Sequence, residues 1–316
     1  MEDNFWIYIL IAVVVYFLWG KFQQWRDNSK SKKTKLNSRI QPALQRKANI
    51  EKVGTSMPQP SILKHKTWEI SPDEVFRKEY VSFTRIKTFK TCPRMFELIY
   101  LYKLEQKSGR AAQVGSLIHE ILRLYTMHYK NDLANQLQEG DASEELLNFY
   151  DQAISSIELT YSITKSELQS CLNNFVLLNR KNKSKIQSIE YECNSTIDIY
   201  NLKCIIDRVD IVTGSSFDQT IIDYKTGNPR NVTRNQLNVY AYALGNCKWI
   251  PLQLVIQFLK NGEISIWEYT PRLHSEIEQW LLGSVKEINC TKEFRRISSR
   301  LCDYCGVSQH CYTVPS

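Results

Sequence analysis

The sequence predicts a mixed α/β domain, and three observations carry that reading. Apolar residues recur at helical spacing from about residue 82 to residue 129. The period then shortens to two over residues 189–200, 203–212 and 219–225, three strand-like runs joined by short turns. A helical stretch at 232–244 precedes two further strand-like runs, 252–259 and 264–269, and a closing helix at 271–288. No internal repeat interrupts this order.

With 316 residues, 43% of them hydrophobic, the chain is long enough to bury a substantial core. Its formal charge of +8 is concentrated in one place. Residues 21–66 hold 12 of the 41 basic side chains and only 2 of the 33 acidic ones, and residues 1–20 are net −2. The rest of the chain holds 29 of each, so the folded part is not globally basic. Nine cysteines, an odd number with three in the last fifteen residues, do not read as a secreted disulfide framework. They fit a reducing compartment and a metal site. Cys171, Cys193, Cys204, Cys247 and Cys290 are scattered and read as small core residues.

The first element is NFWIYILIAVVVYFLWG, seventeen uncharged residues that would span about 25 Å as a helix. Aromatics flank it, Glu2 and Asp3 precede it, and Lys21, Arg26, Lys30, Lys32, Lys33, Lys35 and Arg39 follow. That pattern reads as an uncleaved single-pass transmembrane anchor over residues 4–25, with the remainder of the chain on the cytoplasmic side. Residues 26–78 are basic, polar and aperiodic, an expected disordered linker that enforces topology or meets anionic lipid or nucleic acid. Phe83, Ile86 and Phe89, then Phe96, Ile99 and Tyr100, form two short helices divided by Pro93. Val114, Leu117, Ile118, Ile121, Leu122 and Tyr125 lie on one stripe of a helix over 113–129. Residues 131–185 read as a polar helical insertion. Asn261-Gly262 predicts a type I′ hairpin turn, and Pro271 after Thr270 opens the last helix.

The chemistry concentrates in CIIDRVDIVTGSSFDQTIIDYKTG, residues 204–227. Strand alternation puts Ile205, Asp207, Val209 and Ile211 on one face and Ile206, Arg208 and Asp210 on the other. Asp223 and Lys225 share a face of the next strand with Ile221. A carboxylate buried without a partner costs several kcal/mol, so these residues are expected to pair or to hold a cation.

The spacing D-x(15)-D-x-K resembles the active-site motif of the PD-(D/E)XK nuclease superfamily. His119 in GSLIHE, Gln236 and Tyr240 in QLNVY, and Cys92 in CPRMF resemble further marks of its RecB-like exonuclease branch. The resemblance covers about residues 79–316. It implies a restriction-endonuclease-like fold: a mixed sheet flanked by helices. It also implies a metal-dependent DNA nuclease, favouring exonucleolytic action on single strands in repair, recombination or processing. Asp207, Asp223 and His119 would hold Mg²⁺ or Mn²⁺. Lys225 would orient the attacking water and offset phosphate charge. Gln236 and Tyr240, four apart on one helix face, would position the lysine or a substrate phosphate. Arg94, Lys103, Arg110 and Arg208 are candidate phosphate contacts. Relatives carry a glycine where this chain has Cys204, which implies local repacking.

The tail over 301–312 supplies Cys302, Cys305 and Cys311, and Cys92 is the natural fourth ligand. One distant cysteine with a terminal C-x(2)-C-x(5)-C resembles the iron–sulfur staple of RecB-like nucleases, implying a 4Fe–4S cluster, with zinc the alternative. His310 could replace one thiolate. The rival reading is a non-catalytic, iron–sulfur-stapled nucleic-acid-binding module tethered to the membrane; a protein-binding scaffold is the third. The intact Asp207, Asp223 and Lys225 favour the enzyme.

Overall fold

The computed structural model describes residues 68–312, apart from 139–140, 213 and 215–217. The anchor expected at 4–25 and most of the linker lie outside the described residues. Among the described residues no helix is long and apolar enough to cross a membrane.

Two short helices, α1 (Phe83–Thr91) and α2 (Pro93–Phe96), open the core. Ser82 caps the first by accepting from the Arg85 N–H at 3.3 Å, and Pro93 separates the two by removing a donor. Then come α3 (Arg110–His128), α4 (Leu133–Gln136), α5 (Ala142–Leu147), α6 (Tyr150–Ser156) and α7 (Lys165–Asn179). Three strands follow, β1 (Lys185–Ile197), β2 (Tyr200–Ile211) and β3 (Asp218–Lys225). After α8 (Asn235–Asn246), β4 (Ile250–Phe258) and β5 (Glu263–Glu268) lead into α9 (Pro271–Cys290).

The five strands form one sheet in sequence order. Only β3 and β4 are parallel, because only they are joined by a helical crossover; hairpins join the others antiparallel. One core packs α1, α8 and α9 on the sheet through Ile86, Leu237, Val239 and Leu281. The other packs α3 and α7 on the opposite face through Leu117, Ile121, Leu172 and Phe175. Central β3 feeds both, Ile221 into the first and Ile222 with Tyr224 into the second, so almost all of it is buried.

Two local expectations fail. Strict alternation along β2 is broken: Ile205 is 48% exposed, while Ile206 and Val209 enter the same core. Opposite this break, Glu190 of β1 adopts φ +46°, a left-handed conformation that costs a non-glycine residue roughly 1 kcal/mol. The Asn261-Gly262 hairpin is not a two-residue type I′ turn. Phe258 pairs with Glu263, leaving a four-residue loop, and only Gly262 has positive φ. The Gly262 N–H donates to the Phe258 carbonyl at 2.8 Å, closing a wider turn that needs one left-handed residue.

Candidate active site

The mid-sheet break concentrates polar groups. His119 projects from α3, Glu190 from β1 and Asp207 from β2, and their ligand atoms lie within 4.8 Å of one another. Among the described residues this is the one such group of three. His119 Nδ1 sits 3.5 Å from Asp207 Oδ2, which also accepts the backbone N–H of Tyr224 at 2.7 Å. That bond ties the β2 carboxylate to β3 beside Asp223. A cleft of about 530 Å³ opens onto the trio, lined by Ala112, Gly115, His119, Glu190, Asp207 and Thr226. Gly115 lets α3 approach the end of β3, since a Cβ there would lie 2.9 Å from Thr226 Oγ1 and one of the two would have to shift.

Asp223 is 1% exposed and forms an ion pair with Lys225, two residues along β3, as their shared face predicts. Its buried Oδ2 accepts no hydrogen bond beyond that ammonium contact. It stands outside the group of three, so the expected His119, Asp207 and Asp223 set is brought together only in part. On α8, Gln236 Nε2 donates to the Tyr240 hydroxyl at 2.6 Å.

The charges perturb one another. Burial raises the Asp223 carboxyl and Asp207 raises it further, to about 6, against the Lys225 charge. Burial likewise lifts Glu190, and the Asp207 charge adds to it, to about 7. Burial works against a charged His119, yet the charge and contact of Asp207 carry it up to about 9. Burial also opposes ionised Asp207, but its neighbour His119 holds it below the usual carboxylate range. Burial and the Asp223 charge push the Tyr240 phenol up, which places that hydroxyl in the field of the same carboxylate. A site this crowded with acids favours either protons or a cation. One imidazole and hard carboxylate oxygens suit a divalent ion such as Mn²⁺ or Mg²⁺.

Glu190 was not singled out in the sequence. Its only local signal is an acid inside a strand-like run, and the left-handed backbone that aims it is not readable from composition. Each candidate phosphate contact has an acidic partner in the fold, and burial rules out two of the four. Arg208 is buried and bidentate with Asp210, at 2.6 Å for both bonds. Arg94 is buried with Glu97, Lys103 pairs with Glu79, and Arg110 pairs with Glu167 at 2.6 Å. Burial withdraws Arg94 and Arg208 from solvent, whereas Lys103 and Arg110 sit in surface pairs and stay within reach of a phosphate.

Cys92, Cys302, Cys305 and Cys311 converge on a cavity of about 120 Å³ with Met95, Leu98 and Val307 among its apolar walls. All four are free thiols. The Ile297 N–H points at Cys92 Sγ and the Ser299 N–H at Cys302 Sγ, each at 3.5 Å. No three of the sulfurs lie within 4.8 Å of one another. His310 contacts Gln309 at 2.9 Å and is not part of the lining.

A mixed sheet covered by helices on both faces, with acids and a lysine meeting at adjoining strands, is the layout of a nuclease domain. The chain belongs to the PD-(D/E)XK nuclease superfamily, whose model matches residues 80–312. Among solved structures it is similar to a candidate exonuclease from Eubacterium rectale, 13% identical over 81% of this chain and 94% of that one, with a TM-score of 0.45. It is also similar to the protein SSO0001, 16% identical over 73% of this chain and 96% of that one, with a TM-score of 0.31. No curated protein matches it significantly.

Proposed function

We propose that this chain is a divalent-metal-dependent DNA nuclease of the RecB-like branch, degrading single strands from their ends in repair, recombination or processing. The observation that carries the reading is the convergence of His119, Glu190 and Asp207 beside the buried Asp223–Lys225 pair. The motif resemblance supports DNA, single strands and end-directed action.

His119, Asp207, Asp223 and Glu190 would hold the cation. When bound it supplies a Lewis acid for the phosphoryl oxygen and a lowered pKa for the attacking water. Asp207 is fixed for this work by the Tyr224 N–H. His119 must give up the proton that Asp207 stabilises before its nitrogen can ligate. Lys225, oriented by Asp223, orients the nucleophilic water and offsets charge on the phosphate. Gln236 and Tyr240, hydrogen-bonded to each other on α8, would position Lys225 or a substrate phosphate.

The cysteine cavity supports a structural 4Fe–4S cluster. A cubane carries each cysteine on a separate iron, and N–H donors to its sulfurs tune it. In the same proposal residues 4–25 anchor the protein, 26–78 form the linker, and the nuclease domain over 79–316 faces the cytoplasm, as the charge asymmetry supports.

The test is incubation of the full chain, purified in detergent, with end-labelled linear and circular single-stranded DNA in Mn²⁺. Linear DNA should be degraded and circular DNA spared. No cleavage by wild type, or equal cleavage by Asp223→Ala, sinks the enzymatic reading; cleavage of circles sinks end-directed action.

A further inference from the structure

Arg208 and Asp210 are the second charged pair of the β2 motif, and nothing in the catalytic reading uses them. Burying such a pair in the core requires every remaining lone pair and donor to be met. Here Tyr224 of β3 faces the guanidinium, and one further segment supplies two amides. Arg208 Nη1 donates to Asn179 Oδ1 at 3.1 Å, and Asn182 Nδ2 donates to Asp210 Oδ2 at 3.2 Å. Asn179 Nδ2 in turn donates to Gln257 Oε1 at 2.7 Å. The buried pair therefore clamps the connection between α7 and β1 from beneath, at Asn179 and Asn182.

That connection is RKNKSK, residues 180–185, with Arg180, Lys181, Lys183 and Lys185 all exposed. Among the described residues none of the four joins a salt bridge, unlike the buried Arg85, Arg94 and Arg208, which all do. Four uncompensated cations in six residues repel one another, and a loose loop would spread them. Arg180, Lys181 and Lys183 instead line a groove of about 800 Å³ with Gln138, Asp141 and Asn173, three cations against one carboxylate, which already accepts from Ser143 Oγ and the Glu144 N–H. Lys185 begins β1, and Glu190 of the metal-ligand trio lies five residues along that strand, roughly 17 Å away.

We propose that this groove is a second binding site, an exosite for the phosphodiester backbone of the single-stranded substrate outside the catalytic cleft, and that the buried Arg208–Asp210 pair is its rigid base. The proposal rests on the nucleic-acid reading above. Unpaired cations along a concave channel match a strand better than a membrane surface, which would need them on a flat or convex face. Each backbone contact to single-stranded nucleic acid contributes about 0.7 to the slope of log affinity against log salt, or roughly fivefold at 0.1 M relative to 1 M.

The test uses the full chain, with labelled single-stranded DNA binding measured in chelator across a salt series. Cleavage of an oligonucleotide too short to reach the groove is followed in parallel in Mn²⁺. Lys181→Gln with Lys183→Gln should lower the salt slope by about 1.4 and weaken binding roughly 25-fold at 0.1 M salt. Short-substrate cleavage and the melting temperature should stay at wild-type values. Asp210→Asn should lower the slope also, by loosening the base. An unchanged slope with cleavage intact overturns the exosite and leaves the nuclease reading standing. Loss of binding and cleavage in wild type overturns both. Unchanged DNA binding with lost binding to phosphatidylserine vesicles assigns the groove to lipid and overturns the proposal.

Discussion

Asp207 and Tyr224 are tied across two strands: the Tyr224 backbone N–H donates to Asp207 Oδ2 at 2.7 Å. The bond makes a side chain of β2 part of the β3 ladder, and it sets the carboxylate that polarises His119, Glu190 and Asp223. Replacing Asp207 by Asn keeps an oxygen for that N–H and removes the charge. Asp207→Asn should lower kcat/KM by at least about a hundredfold with little loss of fold. Steady-state kinetics beside a thermal melt check this, and activity within a few-fold of wild type would refute it.

Metal binding should be pH-dependent in a stated direction. In the metal-free protein Glu190 titrates at about 7 instead of 4.5 and Asp223 at about 6 instead of 3.8. Across that window the folded chain holds protons the unfolded chain has lost, so stability falls as pH rises. His119, lifted from 6.5 to about 9, contributes stability that is full below 6.5 and fades through about 9. Divalent ions require ionised carboxylates and a neutral imidazole, so the melting shift on adding Mn²⁺ should grow between about pH 5.5 and 8. Glu190→Gln should flatten the step near 7. A shift constant with pH would contradict this account.

The Arg208–Asp210 pair should be far more important to stability than any surface pair. Asp210→Ala leaves a buried guanidinium with only the neutral Asn179 and Tyr224 side chains beside it, and should cost about 3–5 kcal/mol. Urea denaturation measures it; a loss below about 1 kcal/mol would mean that the pair is solvated.

Gly115 faces Thr226, the residue after Lys225. Gly115→Ala would place a methyl group 2.9 Å from Thr226 Oγ1. Thr is stiff at χ1, so β3 should shift at its end. Destabilisation of about 1 kcal/mol should accompany a drop in kcat of roughly tenfold, larger than the stability change alone explains. Equal kcat for the variant would show that the cleft wall is compliant.

The cysteine tail is held by a close backbone approach. A Cβ on Gly306 would lie 2.5 Å from the Lys107 carbonyl oxygen, and the Lys107 N–H donates to the Gly306 carbonyl at 3.2 Å. Gly306→Ala and Cys305→Ser should each lower the iron and acid-labile sulfide content, remove the brown colour and lower the melting temperature. Zinc in place of iron in the wild type would instead support the alternative metal.

Much of this protein is legible in one dimension. Helical spacing, Pro93 and Pro271 place the helices, and the period of two places all five strands to within a few residues, because both follow from which side chains must leave water. The D-x(15)-D-x-K spacing likewise marks Asp207, Asp223 and Lys225, since residues two apart share a strand face. Tertiary structure alone decided the rest. Glu190 joins the site only because a left-handed backbone at mid-strand turns it towards Asp207, and no period records one dihedral angle. The same break carries Val209 into the core that holds Cys204 and Ile206, three residues after Ile206 where alternation would place it on the opposite face. Lys103 and Arg110 read as free cations until Glu79 and Glu167 arrive from elsewhere in the fold, whereas Arg94 and Arg208 meet acids three and two residues along the chain, and no acid of the described fold pairs with the RKNKSK cations. Local pattern determines which face of an element is buried. Which charges remain for function depends on long-range pairing, and that is settled only when the chain is folded.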